Sequence, residues 1–240
     1  MSQVLKSIVR TLLPARLRER ISVWRQRGPL ALGHGSRVHR SAQILGRSHV
    51  RIGDNSCISE RCWLNVNHRS EAGFSITVGD NTFIGRDNFM SSGRAIHIGS
   101  YCLTTLGCKF VCSTHVADTP WVPIVTTGTT GTDTIVVGDN CFFGVNTTVL
   151  GNVTIGHGCV IGTGALVTSD VPPFSLAVGS PARVVKRYSF RHRAWLAVDA
   201  VAAGDLDDNP DAETYLARLK ATHPWIDIPW IASSADQGSF

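Results

Sequence analysis

Residues 137–172 read VGDNCF, FGVNTT, VLGNVT, IGHGCV, IGTGAL and VTSDVP when the chain is divided into blocks of six. Each block opens with a large apolar residue, and no gap is needed to keep this period. In a chain that is 43% hydrophobic, chance would give this pattern in one fixed register roughly six times in a thousand. The fifth residue of each block is small: Cys141, Thr147, Val153, Cys159, Ala165 and Val171. A repeat of this length is typical of solenoid proteins.

The six-residue period also predicts the shape of the solenoid. A short strand and a turn fill each block, and three blocks close one triangular coil whose large and small residues point inward. Gly-Asp-Asn at 53–55, 79–81 and 138–140 suits tight left-handed turns at the corners. If insertions are allowed, further blocks start upstream at Leu32, Val38, Ile44, Ile52, Ile58, Leu64, Val78, Ile84, Met90, Ile98, Thr104 and Phe110. We therefore predict an all-β solenoid, a parallel β-helix of about six triangular coils.

The period divides the chain into three parts. We expect a segment over residues 1–31, the β-helix over 32–172 with one long loop at 116–136, and a return segment with C-terminal helices over 173–240. Asn209 and Pro210 are expected to cap and begin one of these helices. The cysteines at the small inward position, Cys62, Cys102, Cys108, Cys141 and Cys159, are expected to be core residues.

Charge is concentrated at the N-terminus. Residues 1–28 carry seven basic side chains against Glu19 alone, whereas the whole chain has a net charge of only +5. This distribution indicates a basic, amphipathic helical segment and argues against a nucleic-acid-binding body. The segment either caps the solenoid or a neighbouring subunit, or contacts an anionic membrane surface. With no apolar run long enough for a signal or a membrane span, we expect a cytoplasmic protein, with the inner face of the membrane as the alternative location.

Three segments carry a family resemblance: Ser113–Asp118, Val160–Pro173 and Val178–Lys186. They resemble hexapeptide acyltransferases, specifically the branch of galactoside, maltose and polysaccharide O-acetyltransferases. The resemblance implies a left-handed β-helix, a homotrimer, and transfer of an acetyl group from acetyl-CoA to a hydroxyl. It covers about 140 residues and leaves both ends of the chain outside.

The resemblance also implies a set of site residues. The catalytic histidine of the family falls on His115, and an aromatic residue near the pantetheine falls on Phe142. The positions that contact CoA fall on Thr163, Thr168, Arg183 and Lys186. Asp87 lies opposite a sugar-contacting position of the relatives. Two departures are Val145, where a small residue is usual, and Ser169, where many relatives carry lysine.

The residue chemistry agrees with these roles. A sugar hydroxyl is a poor nucleophile at neutral pH, so its attack on a thioester needs a base, and histidine is the usual choice. His115 lies beside the long loop, and Asp118 either orients its imidazole or caps that loop. Arg183 and Lys186 suit the phosphates of CoA.

We therefore predict an acetyl-CoA-dependent O-acetyltransferase that acts on a sugar hydroxyl in surface polysaccharide synthesis. His115 is the general base, attack is direct in a ternary complex, and no metal is required. An N-acyltransferase acting on a nucleotide-linked amino sugar uses the same base and stays open, as does a non-catalytic scaffold. A zinc hydratase of the γ-carbonic anhydrase type is disfavoured, because His34 and His39 have no third histidine one coil along.

Overall fold

The computed structural model describes residues 29–69 and 73–228. They form a left-handed parallel β-helix, as the sequence predicts, whose coils each cross three faces. The basic segment expected over residues 1–31 lies outside the described residues except for 29–31, as does the C-terminal stretch 229–240. No helix within the described ranges is long and apolar enough to cross a membrane.

The strands, numbered in chain order, stack into three parallel sheets. Face 1 consists of β1 (Ala31–Leu32), β4 (Val50–Ile52), β7 (Ile76–Val78), β10 (Ala95–Ile98), β13 (Thr134–Val137) and β16 (Val153–Ile155). Face 2 consists of β2 (Arg37–Val38), β5 (Cys57–Ile58), β8 (Phe83–Ile84), β11 (Leu103–Thr104), β14 (Phe142–Phe143), β17 (Val160–Ile161) and β19 (Ser175–Val178). Face 3 consists of β3 (Gln43–Leu45), β6 (Trp63–Val66), β9 (Phe89–Ser92), β12 (Lys109–Val111), β15 (Thr148–Leu150) and β18 (Leu166–Val167).

Beyond the coils, β20 (Arg183–Ser189) pairs antiparallel with β19, and β21 (Ala194–Ala197) pairs with β20. An α-helix, α1 (Ala212–Thr222), follows, and short 3₁₀ turns occur at Arg47–His49, Ile124–Thr126 and Val198–Ala200. We name the three corners the 1/2 edge, the 2/3 edge and the 3/1 edge after the faces that they join. These edges hold the turns and insertions of every coil.

The core is a stack of equivalent residues from successive coils. On face 3, Phe110 is aligned with Met90 on one side and Val149 on the other, and all three side chains are fully buried. Leu32, in the first coil, is instead exposed; among the described residues its strand β1 pairs only with β4. The first large residue of face 1 is therefore less buried than its aligned counterparts Ile52 and Val78 in the next two coils.

The small inward position of the 1/2 edge connects one coil to the next through hydrogen bonds. Thr82 Oγ1 donates to the carbonyl of Gly99 at 3.0 Å, Cys102 Sγ to Gly138 at 3.3 Å, and Cys141 Sγ to Gly156 at 3.1 Å. The five predicted core cysteines are all buried, which confirms their structural assignment. Small residues that carry a donor are therefore favoured here because they satisfy carbonyls that the turns leave unpaired.

The long insertion forms an arm between β12 and β13. Its base is closed by antiparallel hydrogen bonds from Val116 N to Gly128 O at 3.2 Å and from Thr130 N to Thr114 O at 2.7 Å. Near its tip, Trp121 is 92% exposed and Val125 is 85% exposed. The arm therefore projects from the 3/1 edge and presents apolar side chains to its surroundings.

The C-terminal segment returns along the 1/2 edge. Tyr101 Oη donates to His223 O at 2.9 Å, and Asn55 Nδ2 donates to Ile226 O at 2.8 Å. Ile228 then packs on Cys57, which lies outside the predicted inward pattern and is nevertheless fully buried. The segment thus covers the end of face 2 that belongs to the first coils.

The start of α1 differs from the prediction. Asp211 caps the helix by accepting a hydrogen bond from Thr214 N at 2.7 Å, two residues after the predicted cap. Asn209 instead donates to Tyr188 O at 2.8 Å and accepts from Phe190 N at 3.1 Å. Asn209 therefore holds α1 against the hairpin of β20 and β21, a long-range role that competes with capping.

Candidate functional site

His115 lies at the base of the arm, on the 3/1 edge. Its backbone forms an isolated antiparallel bridge with Thr129, and its side chain is exposed. Asp118 is also exposed, and within the described ranges no hydrogen bond or ion pair joins its carboxylate to the His115 imidazole. The geometry therefore fixes the backbone of His115 and leaves its imidazole accessible to a ligand.

A second histidine contacts the same arm. His68 Nε2 lies 3.0 Å from Thr129 Oγ1, and Thr129 is the residue whose backbone bridges to His115. The ring of His68 also packs against Gly131, where an added Cβ would lie 2.8 Å from its Cγ. His68 is half-buried and follows β6, so it ties the arm to the preceding coils. This contact could not be predicted from the sequence, since 61 residues separate the two partners.

The predicted site residues fall into two groups on opposite sides of face 3. His115 and Thr168 lie on the 3/1 edge, whereas Thr163 and Asp87 lie on the 2/3 edge, and Phe142 lies on the adjoining face 2. Thr163 and Thr168 flank β18, so their backbones are up to about 16 Å apart at ~3.3 Å per extended residue. One copy of the chain does not bring the two groups together.

The 2/3 edge carries a groove of backbone amides. In the turns of two successive coils, the N–H groups of Val145 and Thr163 donate no hydrogen bond within the described residues. The coils are in close contact here, because an added Cβ on Gly144 would lie 2.5 Å from Thr163 N. Phe142 is 37% exposed on the adjoining face 2, directly aligned with Leu103 and Val160. Free amide donors beside an exposed ring suit a ligand that combines carbonyl groups with an aliphatic chain.

Arg183 and Lys186 lie on β20, which extends the sheet that contains Phe142. Both side chains are exposed, and Arg183 Nη1 donates to the carbonyl of Ala182 at 2.8 Å. The neighbouring Arg187 is a cation that the sequence analysis missed. Its Nε is buried with no hydrogen-bond partner among the described residues, and burial lowers the pKa of its guanidinium. This end of face 2 therefore has a concentration of positive charge.

Asp87 lies on the 2/3 edge in an ion pair. Its two carboxylate oxygens accept from Nε and Nη2 of Arg61, each at 2.7 Å. The hydrogen bonds from Arg61 hold the pKa of Asp87 below its usual range, so the carboxylate stays ionised at neutral pH. Next to this pair, Trp63 and Phe89 form a concavity of about 330 Å³ with Lys109. The sequence did contain a signal for the aromatic pair, because each ring directly precedes the third block of its coil.

Among the described residues, no group of three or more His, Cys, Asp or Glu side chains is close enough to hold a metal ion. His34 packs near the Trp225 ring with centroids 6.0 Å apart, and His39 Nδ1 lies 2.7 Å from Ser41 Oγ.

Comparison with known proteins agrees with this fold. Residues 134–169 match the family model described as bacterial transferase hexapeptide (six repeats). A Staphylococcus aureus protein named as an acetyltransferase is 33% identical over 152 residues, which cover 63% of this chain and 72% of that protein. The chain belongs to the hexapeptide-repeat acetyltransferase family. A Mycobacterium tuberculosis protein named as an acetyltransferase is 33% identical over 186 residues, 76% of this chain. The match spans 58% of the length of that mycobacterial family member.

A solved structure shares the fold of this hexapeptide-repeat protein. AntD, an N-acyltransferase from Bacillus cereus in complex with dTDP and 3-hydroxybutyryl-CoA, superposes with a TM-score of 0.57 at 18% sequence identity. The superposition covers 71% of this chain and 87% of AntD. At this identity the similarity concerns the fold alone.

Proposed function

We propose that this protein transfers an acetyl group from acetyl-CoA to a hydroxyl of a saccharide in surface polysaccharide synthesis. The observation that carries the proposal is the pairing of an accessible histidine at the 3/1 edge with an amide-lined groove at the 2/3 edge. Family membership supports the acetyl donor, and the 3-hydroxybutyryl-CoA complex of AntD supports an acyl-CoA ligand for this fold. With acetyl-CoA as the donor, we propose that the reaction takes place in the cytoplasm.

In this proposal the groove on the 2/3 edge holds the cofactor. The amide N–H groups of Val145 and Thr163 would donate to the carbonyls of the pantetheine arm, and Phe142 would contact its aliphatic part. Arg183 and Lys186 would meet the phosphates as charge-assisted donors. Val145, where relatives carry a smaller residue, is half-buried, and its N–H donates no hydrogen bond within the described residues.

His115 would act as the general base. The acceptor hydroxyl attacks the thioester carbonyl carbon while its proton passes to the imidazole, and the tetrahedral intermediate collapses with cleavage of the C–S bond. The protonated imidazole then returns the proton to the CoA thiolate, so the products are an acetyl ester and free CoA. Thr168 lies on the same 3/1 edge as His115 and would line the cofactor from that side in a shared site.

The separation of the two groups leads us to propose a homotrimer in which each site is shared. The His115 edge of one copy would face the 2/3 edge of its neighbour, which brings the base to the thioester. The apolar arm tip, with Trp121 and Val125 almost fully exposed, supplies a surface for such a contact. A shared site would also exclude water from the reacting thioester.

The test is an acetyl-transfer screen on the full chain. Release of the CoA thiol is followed with acetyl-CoA and a panel of oligosaccharides, sugar nucleotides and nucleotide-linked amino sugars, and each product is treated with alkaline hydroxylamine. We expect a hydroxylamine-labile ester. A resistant amide would instead establish the N-acyltransferase alternative, which the N-acyltransferase AntD exemplifies on the same fold. Absence of thiol release with every acceptor, together with no binding of acetyl-CoA, would support a non-catalytic scaffold.

A further inference from the structure

The concavity on the 2/3 edge has the chemistry of a carbohydrate site. Trp63 on β6 and Phe89 on β9 are directly aligned across neighbouring coils, with ring centroids 5.2 Å apart and an interplanar angle of 59°. Both rings point outward from face 3, and Trp63 is 43% exposed. Two adjacent outward aromatic rings in a hollow form a preformed apolar surface, which is the usual floor of a small-molecule site.

Fixed polar groups surround these rings. Arg61 and Asp87 both adopt the left-handed conformation, at φ 53° and 57°, and their side chains are locked together by two hydrogen bonds of 2.7 Å. Asp87 N also donates to Glu60 O at 3.0 Å, which anchors the turn. Lys109 Nζ donates to Gly107 O at 2.9 Å and keeps two further N–H donors. The carboxylate of Asp87 likewise retains lone pairs for further donors.

We propose that Arg61, Trp63, Asp87, Phe89 and Lys109 form a subsite, here called the aromatic subsite, that binds one pyranose ring of the acceptor. A pyranose has an apolar C–H face and a rim of hydroxyls, which match an aromatic floor with charged groups at its edge. The volume of about 330 Å³ lies at the lower end of the range for small-molecule pockets and suits a single ring. The role as acceptor subsite rests on the proposed transferase function, whereas sugar binding itself does not.

The subsite continues the line of the cofactor groove. Along the 2/3 edge, Asn146 N donates to Leu106 O and Gly107 N donates to Arg86 O, both at 2.9 Å, so the turn at Asp87 is two coils from the turn at Val145. Adjacent strands are ~4.8 Å apart, which places the subsite about 10 Å beyond the groove. A saccharide bound there would extend toward the end of the cofactor on the same edge.

The test measures sugar binding by the full chain, with and without acetyl-CoA. Titrations of methyl α-glucopyranoside, methyl β-galactopyranoside and N-acetyllactosamine are followed by tryptophan fluorescence and by saturation-transfer NMR. We expect Trp63→Ala to weaken binding of the responding sugar by about tenfold or more, and Trp63→Phe to retain part of it. Trp195→Ala removes an exposed ring on β21, outside the subsite, and should leave binding unchanged. In the transfer assay, Trp63→Ala should raise KM for the acceptor and leave KM for acetyl-CoA unchanged.

The possible failures are distinguishable. If none of the probes binds the wild-type chain, or if Trp63→Ala binds them as well as the wild type does, the subsite is wrong. The same holds if Trp63→Ala, folded by circular dichroism, changes the sedimentation coefficient, because the two rings would then belong to a contact between copies. Sugar binding that depends on Trp63 in a protein that consumes no acetyl-CoA would uphold the subsite and overturn the proposed function.

Discussion

At the scale of single residues, His115 provides the most direct test of the chemistry. We expect His115→Ala to lower turnover by roughly 10²–10⁴ and to leave KM for acetyl-CoA nearly unchanged, because the proposed cofactor groove lies on another edge. His115→Gln should be almost as inactive, since an amide can hydrogen-bond but cannot accept a full proton. Thiol release under saturating acetyl-CoA measures both variants. Turnover above about a tenth of the wild-type value in His115→Ala would exclude a general-base role.

His68 is expected to act on turnover through the arm. Its Nε2 lies 3.0 Å from Thr129 Oγ1, and Thr129 bridges to the backbone of His115. His68→Ala should therefore lower turnover by about tenfold while KM for acetyl-CoA stays unchanged, because a misplaced base costs rate rather than cofactor affinity. His68→Gln, whose amide can reach the same hydroxyl, should restore most of the loss. Equal defects in the Ala and Gln variants would rule out positioning through this hydrogen bond.

Arg183 and Lys186 are expected to affect affinity more than rate. The double variant Arg183→Ala, Lys186→Ala should raise KM for acetyl-CoA by roughly tenfold, in line with the loss of exposed charge-assisted hydrogen bonds. Turnover should change little, because phosphates far from the thioester are held equally in the ground and transition states. Initial rates over a range of acetyl-CoA concentrations separate the two constants. An unchanged KM would remove both residues from the proposed cofactor site.

The sequence could predict these residues to different extents. His115 and Thr163 fall within contiguous motifs, so their edges follow from the hexad count alone. The contact between His68 and Thr129 joins two insertions, whose paths the six-residue period does not determine. The six-residue period predicts that Trp63 and Phe89 point outward from neighbouring coils. Only the stacking of the coils in the structure shows that their rings are in contact beside the ion pair of Arg61 and Asp87.

At the scale of elements, two glycines test what the turns require. Gly138 has no positive φ, but an added Cβ would lie 2.5 Å from His157 N in the next coil. Gly164 has φ +69° with open space around it. We expect Gly138→Ala to lower the free energy of unfolding by about 3 kcal/mol or more, because the coils must separate. Gly164→Ala should cost about 1–2 kcal/mol through backbone strain alone.

Asparagine substitutions separate the two causes further. Asn tolerates the left-handed conformation, so Gly164→Asn should be more stable than Gly164→Ala. Gly138→Asn gains nothing from that tolerance and should be as unstable as Gly138→Ala. Chemical denaturation of all four variants measures the order. Equal losses of unfolding free energy at the two positions would show that the spacing between coils adjusts to an added Cβ. Steric contact with the next coil would then not be the reason why glycine is needed at position 138.

Elements outside the repeat were less predictable. The period determines where each short strand begins, because one face of every block must be buried against the next coil. The hairpin of β20 and β21 has no such period, and its orientation depends on Asn209, which bonds both Tyr188 and Phe190. That tertiary contact also explains why α1 begins at Ala212 after an Asp211 cap.

At the scale of the whole molecule, the solenoid places like residues in columns along its edges. The return of residues 223–228 covers the 1/2 edge through Tyr101 and Asn55, so that edge is occupied within the chain. Among the described residues, the amides of Val145 and Thr163 on the 2/3 edge donate no hydrogen bond, and His115 and the arm tip are exposed on the 3/1 edge. The six-residue repeat in the sequence predicts these columns of residues. It does not predict which edge the C-terminal segment covers, because that depends on contacts between residues more than a hundred positions apart.

A shared site makes a prediction about mixtures of inactive subunits. His115→Ala removes the base, and Thr163→Trp places a bulky ring on the exposed 2/3 turn and should block the cofactor groove. Each variant alone should be inactive. If each site takes its base from one copy and its groove from the next, subunits unfolded together at equal amounts and refolded should regain about a quarter of the wild-type activity, since half the copies supply each part.

The control is the double variant His115→Ala, Thr163→Trp refolded with the wild type. In that mixture an intact site again needs two wild-type neighbours, so activity should also fall to about a quarter if the site is shared. A site contained within one copy gives a different pair of results. The two single variants would then stay inactive when mixed, and the mixture of double variant and wild type would keep about half of the activity. Native mass spectrometry of each mixture, which resolves hybrids by the mass difference between the variant subunits, establishes that hybrids formed. This control is needed because unmixed species would give the same result as an unshared site.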